Sequence, residues 1–231
     1  MAINKIENEL GNLRRSTVVM TFGPGSVVDF RAEGAPVSAV VAGLEEWDSS
    51  FRPPGLANSQ TVFEPRLQQQ LGVAGFRLPP VVDESYRDSD GNPDRRSLVA
   101  VRFPTWLQCP QCDRIAPSYR WSSDPGKASS YCSRCTANSP GQQQVHVIPV
   151  RFVMACEAGH LDEFPWNWWL DHNPNCKKNN NVLKLQSKGP GLSGLILSCP
   201  ECKASKSMDG IFNVHNWKGL RCNGKRPWLG T

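Results

Sequence analysis

The stretch CPQCDRIAPSYRWSSDPGKASSYCSRC, residues 109–135, decides the fold. It holds two Cys-x-x-Cys pairs, Cys109/Cys112 and Cys132/Cys135, separated by nineteen residues. Two intervening residues let both sulfurs of a pair turn onto one ion from a tight knuckle. Two knuckles joined by a hairpin then complete a tetrahedral four-sulfur shell for Zn²⁺. Four protein ligands leave no open position, so the spacing predicts a structural site. A redox dithiol would need a thioredoxin-like βαβ pattern around it, which this stretch lacks.

All nine cysteines lie beyond residue 100. Cys156-Glu-Ala-Gly-His160 and His172-Asn-Pro-Asn-Cys176 read C-x3-H-x11-H-x3-C, which offers two thiolates and two imidazoles to one metal. The alternative is that the histidines are hydrogen-bonded structural residues. Cys199, Cys202 and Cys222 form a third group, one donor short. Its fourth ligand is expected to be a cysteine past Thr231, a donor on a companion chain, or His215. Two to three structural Zn²⁺ ions are expected in all. An odd cysteine count cannot pair fully as internal disulfides, and the polar start MAINKIENELGNLRRS lacks the apolar stretch of a secretory signal. Both point to a cytoplasmic chain. No apolar run reaches the roughly 18–20 residues of a membrane span, so no membrane partner is expected.

The composition, with 19 Gly and 19 Pro in 231 residues, predicts many turns and short elements. The expected fold class is α+β: short antiparallel sheets, few helices, and a second half organised around zinc-ribbon-like knuckles. Residues 3–13 and 64–71 carry helical spacing, the second with Pro65 in its first turn. TVVMTFGPGSVVDF (17–30) reads as strand, Gly-Pro-Gly turn, strand; further strands are expected at 37–47, 97–109, 147–156, and in NVLKLQS and GLILSC. Charge changes with cysteine content near residue 100. Residues 1–100 are net −3 and residues 101–231 net +8, which suggests a mixed α/β region over 1–100 and a zinc-knuckle region over 101–231. Lys177, Lys178, Lys184, Lys188, Lys203, Lys206, Lys225 and Arg226 supply most of the basic excess and are the candidate contacts to DNA phosphates. Phe164-Pro-Trp166-Asn-Trp168-Trp169 is read as packing around the metal modules rather than as a base-stacking surface.

Enzyme signatures fail in turn. Gly23-Pro-Gly25 is followed by Val28 where a dinucleotide loop needs glycine, and no GxxxxGK[ST] or GxSxG run occurs. A zinc deaminase needs His-x-Glu with Pro-Cys-x-x-Cys, whereas this chain has His160-Leu-Asp162 and Cys-Pro-x-Cys pairs.

An ordered series of stretches resembles one family. Leu13-Arg14-Arg15-Ser16 with Thr21 through Asp29, Val41 through Trp47, Phe76-Arg77-Leu78-Pro79-Pro80, and Val101-Arg102-Phe103-Pro104 with Trp106 are part of it. Ala155 through Trp166 and Arg226-Pro227-Trp228-Leu229-Gly230 complete the series. Together they are similar to DrmB, the helicase-associated subunit family of the DISARM anti-phage system, whose members are longer and carry a further C-terminal part. The resemblance implies a non-catalytic accessory subunit that binds a DrmA-like helicase and helps engage foreign DNA. Two other functions fit the residues: a metal-dependent nuclease or other metalloenzyme built on the Cys156/His160 region, and a structural assembly module without DNA contact.

Overall fold

Alternation along short strands builds the central sheet. In Leu183–Ser187, Leu183 and Leu185 are buried and Lys184 between them is exposed. In Trp106–Gln108 and Arg114–Pro117, consecutive residues feed opposite faces, because side chains alternate across a strand. Trp106 and Ile115 join one apolar cluster; Leu107 and Ala116 join another. The computed structural model describes residues 14–32, 34–46, 61–79, 91, 98–177 and 182–230.

The sheet has six strands in the order Ile148–Pro149, Trp106–Gln108, Arg114–Pro117, Leu183–Ser187, Leu195–Ser198, Ser205–Ser207. Every neighbouring pair is antiparallel, with Leu107 opposite Ala116, Leu183 opposite Ile115 and Leu185 opposite Leu197. Two-stranded antiparallel pairs join Val153–Ala155 to Leu161–Glu163 and Ser122–Ser123 to Ser130–Tyr131. The fold class is therefore the expected one, with short antiparallel sheets and few helices among the described residues.

One side of this sheet is aromatic. Phe164, Trp166 and Trp169 are buried with Trp106, Ile115, Leu183, Leu197 and Met208. Ring centroids of Phe164 and Trp166 lie 4.6 Å apart, and Phe152 meets Trp166 edge-on at 5.9 Å. Each such pair adds about 0.5–1.5 kcal/mol beyond its area burial. Trp166 and Trp169 come from the short helix Trp166–Leu170, which Asp171 ends in a left-handed conformation. The opposite cluster contains Cys109, Cys132 and Cys135 among Leu107, Ala116, Trp121, Val145 and Val147.

Contacts group the chain into two units. One comprises Asp29–Ser38 and Arg102–Lys225; the other comprises Asn12–Val28, Ala39–Val101 and Arg226–Thr231. In the second, the Gly-Pro-Gly turn has a reason beyond its backbone angle. Gly25 has φ +88°, and a Cβ there would press on the Trp228 indole at 3.3 Å. Gly43 donates its N–H to Trp228 O at 2.7 Å, and a Cβ on it would stand 2.8 Å from Leu229 Cδ2. The two glycines thus make room for a tryptophan about two hundred residues later.

Three sequence expectations meet this structure differently. The helix over 64–71 forms as Pro65–Leu71, closed by Gly72 in the left-handed region. Residues 17–20, read as strand, lie instead in the helix Arg15–Met20. Among the described side chains there, Val18 is buried, while Val19 and Met20 are exposed. A buried residue followed by two exposed ones suits one helical turn, and the weak β preference of Val yields to that context. The strand expected over 37–47 stops at Val41. The helix expected over 3–13 lies outside the described residues.

The loop between Leu183–Ser187 and Leu195–Ser198 returns on itself so tightly that a Cβ on Gly194 would sit 2.3 Å from the carbonyl of Gly189. Backbone cannot yield there as a side-chain tip can. Gly194→Ala is expected to cost about 3 kcal/mol, lowering the thermal midpoint by roughly 6–12 °C. Gly189→Ala, whose Cβ would meet only Gly194 Cα at 3.7 Å, should change it little. Equal midpoints for the two variants would contradict the packing described.

Candidate metal centres

Two strand turns carry the same knuckle. Between Trp106–Gln108 and Arg114–Pro117, Cys109 N–H bonds Arg114 O at 2.9 Å and Asp113 N–H bonds Cys109 O at 3.0 Å. Between Leu195–Ser198 and Ser205–Ser207, Cys199 N–H bonds Ala204 O at 2.9 Å and Lys203 N–H bonds Cys199 O at 3.1 Å. Asp113 and Lys203 both take positive φ, 57° and 62°. The repeated Cys-Pro-x-Cys signature is the local signal for this turn, and both copies sit in the one sheet.

The first knuckle meets the Cys132/Cys135 pair. Cys132 N–H bonds Val145 O at 2.9 Å, and Cys135 follows in the helix Ser133–Ala137. Sγ atoms of Cys109, Cys112, Cys132 and Cys135 lie within 4.8 Å of one another, as the spacing predicts. Burial pushes the Cys109 thiol up, and burial together with neighbouring thiols pushes Cys135 up further. Burial also raises Cys112, but the Arg114 backbone N–H and the surrounding sulfurs outweigh it and lower that thiol. Four sulfurs this close cannot all ionise against one another unless a cation sits among them. A buried four-sulfur shell on two knuckles fits Zn²⁺.

The second knuckle is completed by residues that the sequence reading placed elsewhere. His172, Cys176, Cys199 and Cys202 form one group. Cys176 Sγ is 3.9 Å from Cys199 Sγ, and His172 Nδ1 is 3.5 Å from Cys202 Sγ. The other ring nitrogen of His172 is 3.1 Å from Asn167 Oδ1, and Asn173 Nδ2 donates to Cys202 O at 2.6 Å. Such outer contacts fix the ring that a metal would need. Burial raises the Cys202 thiol, but the backbone N–H groups of Ala204 and Asn173, together with the His172 ring, bring it down to about 6. This is a closed three-sulfur, one-nitrogen set.

The third group is Cys156, His160 and Cys222. Cys156 and His160 cap the hairpin between Val153–Ala155 and Leu161–Glu163, where Gly159 N–H bonds Cys156 O at 2.9 Å. Cys156 Sγ and His160 Nδ1 are 3.3 Å apart, and Cys222 Sγ lies 3.6 Å from the first and 3.4 Å from the second. The His160 backbone N–H lowers the Cys156 thiol.

Two of the expected ligand sets are therefore corrected. Cys156 and His160 do not share a group with His172 and Cys176, and Cys222 does not complete the Cys199/Cys202 knuckle. The reason is the helix between the half-sites. Burial of Trp166, Trp169 and Leu170 turns the chain away from the 156–160 hairpin, so His172 emerges beside the second knuckle. His215 belongs to no group; it is exposed on a 3₁₀ turn, with its backbone N–H on Asn213 Oδ1. Asn167 and Asn173, which the sequence reading did not single out, supply the outer contacts.

The candidate DNA residues that the structure describes are exposed. Lys203 Nζ donates to Pro200 O at 2.7 Å, Lys206 lies over the Trp169 ring at 4.2 Å, and Lys225 pairs with Asp162 at 2.9 Å. Lys177, Lys184, Lys188 and Arg226 stand at the surface. Lys178 lies outside the described residues.

Among the described residues, no helix is long and apolar enough to cross a membrane. A family described as "Domain of unknown function (DUF8724)" matches residues 14–231. The chain is also similar to a curated protein of Bacillus paralicheniformis named "DISARM protein DrmB", at 27% identity over 196 residues. That similarity covers 82% of this chain and bears out the resemblance to DrmB. The chain spans about 30% of the length of that relative.

Proposed function

The chain belongs to the DUF8724 family, and from that premise we propose that it acts as a non-catalytic, zinc-stapled accessory subunit in a bacterial DISARM-type anti-phage complex. The similarity to DISARM protein DrmB over 82% of the chain carries the reading. Its partner in the complex is a DrmA-like helicase, which supplies the ATPase, and the basic region helps hold DNA through backbone phosphates. The geometry supports a scaffold: two closed ligand sets pin the two Cys-Pro-x-Cys turns of one sheet, leaving both ions without a reactive position.

Co-expression of the chain with its genomic neighbours tests the proposal. A helicase subunit is expected to co-purify, and deletion of the gene should raise phage plating on a host that carries the system. A chain that purifies without any helicase, and whose deletion leaves plating unchanged, would overturn the reading.

A further inference from the structure

The three donors Cys156 Sγ, His160 Nδ1 and Cys222 Sγ stand 3.3–3.6 Å apart. Those are edges that one tetrahedral Zn²⁺ spans with bonds of about 2.0–2.3 Å. Three donors make one triangular face, and the fourth vertex projects away from it. Cys222 is exposed, and Cys156 and His160 are half-buried, so the face lies at the surface.

The carboxylate of Asp162, on the same hairpin, is already committed. Asp162 Oδ1 takes Lys225 Nζ at 2.9 Å and the Glu163 N–H at 2.7 Å, while Oδ2 takes Asn223 Nδ2 at 2.9 Å. Leu161 N–H also bonds Lys225 O at 3.0 Å. Asp162 therefore ties the Cys222 loop to the 156–160 hairpin and is not itself a donor to the ion. Among the described residues, no fourth donor joins the three.

We infer that this third centre is an open zinc site whose fourth position takes a thiolate from outside the three-residue set. The inference rests on the metal reading of the clusters. Two soft sulfurs and one imidazole already neutralise the ion, and such a set takes a further sulfur readily. In sequence, Lys218 and Arg221 precede Cys222, and Lys225 beyond it is matched by Asp162. On binding, a thiol would give up its proton to solvent and its sulfur would fill the fourth position beside Cys156, His160 and Cys222.

Cobalt substitution of the full chain tests it, with the third-site spectrum taken as wild type minus Cys222→Ala. Adding 2-mercaptoethanol should raise the sulfur-to-cobalt charge-transfer band of that difference about 1.5-fold, three thiolates replacing two on the ion. The Cys222→Ala and Cys156→Ala chains should show no response. A difference band that is already at the three-thiolate level, and that falls on dilution, would assign the donor to a second copy of the chain. A third ion present but indifferent to thiol would overturn the inference and leave the metal reading intact. Absence of cobalt at the third group alone would also overturn it, whereas absence at all three groups would overturn the metal reading itself.

Discussion

Replacing Cys112 with serine is expected to lower the zinc content of the purified chain by one ion and to unfold the cluster around it. Structural zinc supplies about 10–16 kcal/mol of binding free energy in zinc-finger peptides, and the loss of one of four sulfurs forfeits much of it. Cys109, Cys132 and Cys135 are buried with Leu107, Ala116, Trp121, Val145 and Val147. An empty site would leave three thiols and a serine hydroxyl without a shared partner in that apolar setting. Elemental analysis beside thermal unfolding reads both effects. Full zinc content in the Cys112→Ser chain would show that the four sulfurs do not share an ion.

A second large effect separates the ligand sets. His172→Ala and Cys199→Ala should each remove one ion, and the double variant should still remove only one, because the two side chains serve the same centre. Cys156→Ala should remove a different ion, so that Cys156→Ala with Cys199→Ala loses two. Non-additivity within a group and additivity between groups follow from shared and unshared partners. Loss of only one ion from the Cys156/Cys199 double variant would restore a common site for both and contradict the structure.

The residues that were legible in sequence are those whose partners are close in the chain. Cys109 and Cys112 face one point because two residues separate them, and their meeting with Cys132 and Cys135 needs only one excursion from the sheet. Pro65 and Gly72 bracket a helix by local backbone rules. By contrast, nothing local says which half-site His172 and Cys176 will join. The near-palindrome over 156–176 suggests one site, yet the halves, with buried Trp166 and Trp169 between them, join different groups. Cys222 joins Cys156 across sixty-six positions, a pairing fixed by packing rather than spacing. Residues 15–20 form a helix rather than the strand that the Val residues suggest, with Val18 buried and Val19 and Met20 exposed.

The glycines at 25 and 43, each fitted against the Trp228–Leu229 segment, bear on how the protein is born. Translation proceeds at about 5–20 residues per second, so the early segment emerges roughly 10–40 seconds before the tryptophan it is shaped to receive. Through that interval the unit that holds Gly25, Gly43 and Trp228 stays incomplete, while the cysteines that lie between them in the chain emerge one group after another. The order of synthesis thus delivers the cysteines at 109–202 ahead of Trp228, and the contacts of Gly25 and Gly43 with the Trp228–Leu229 segment form after them.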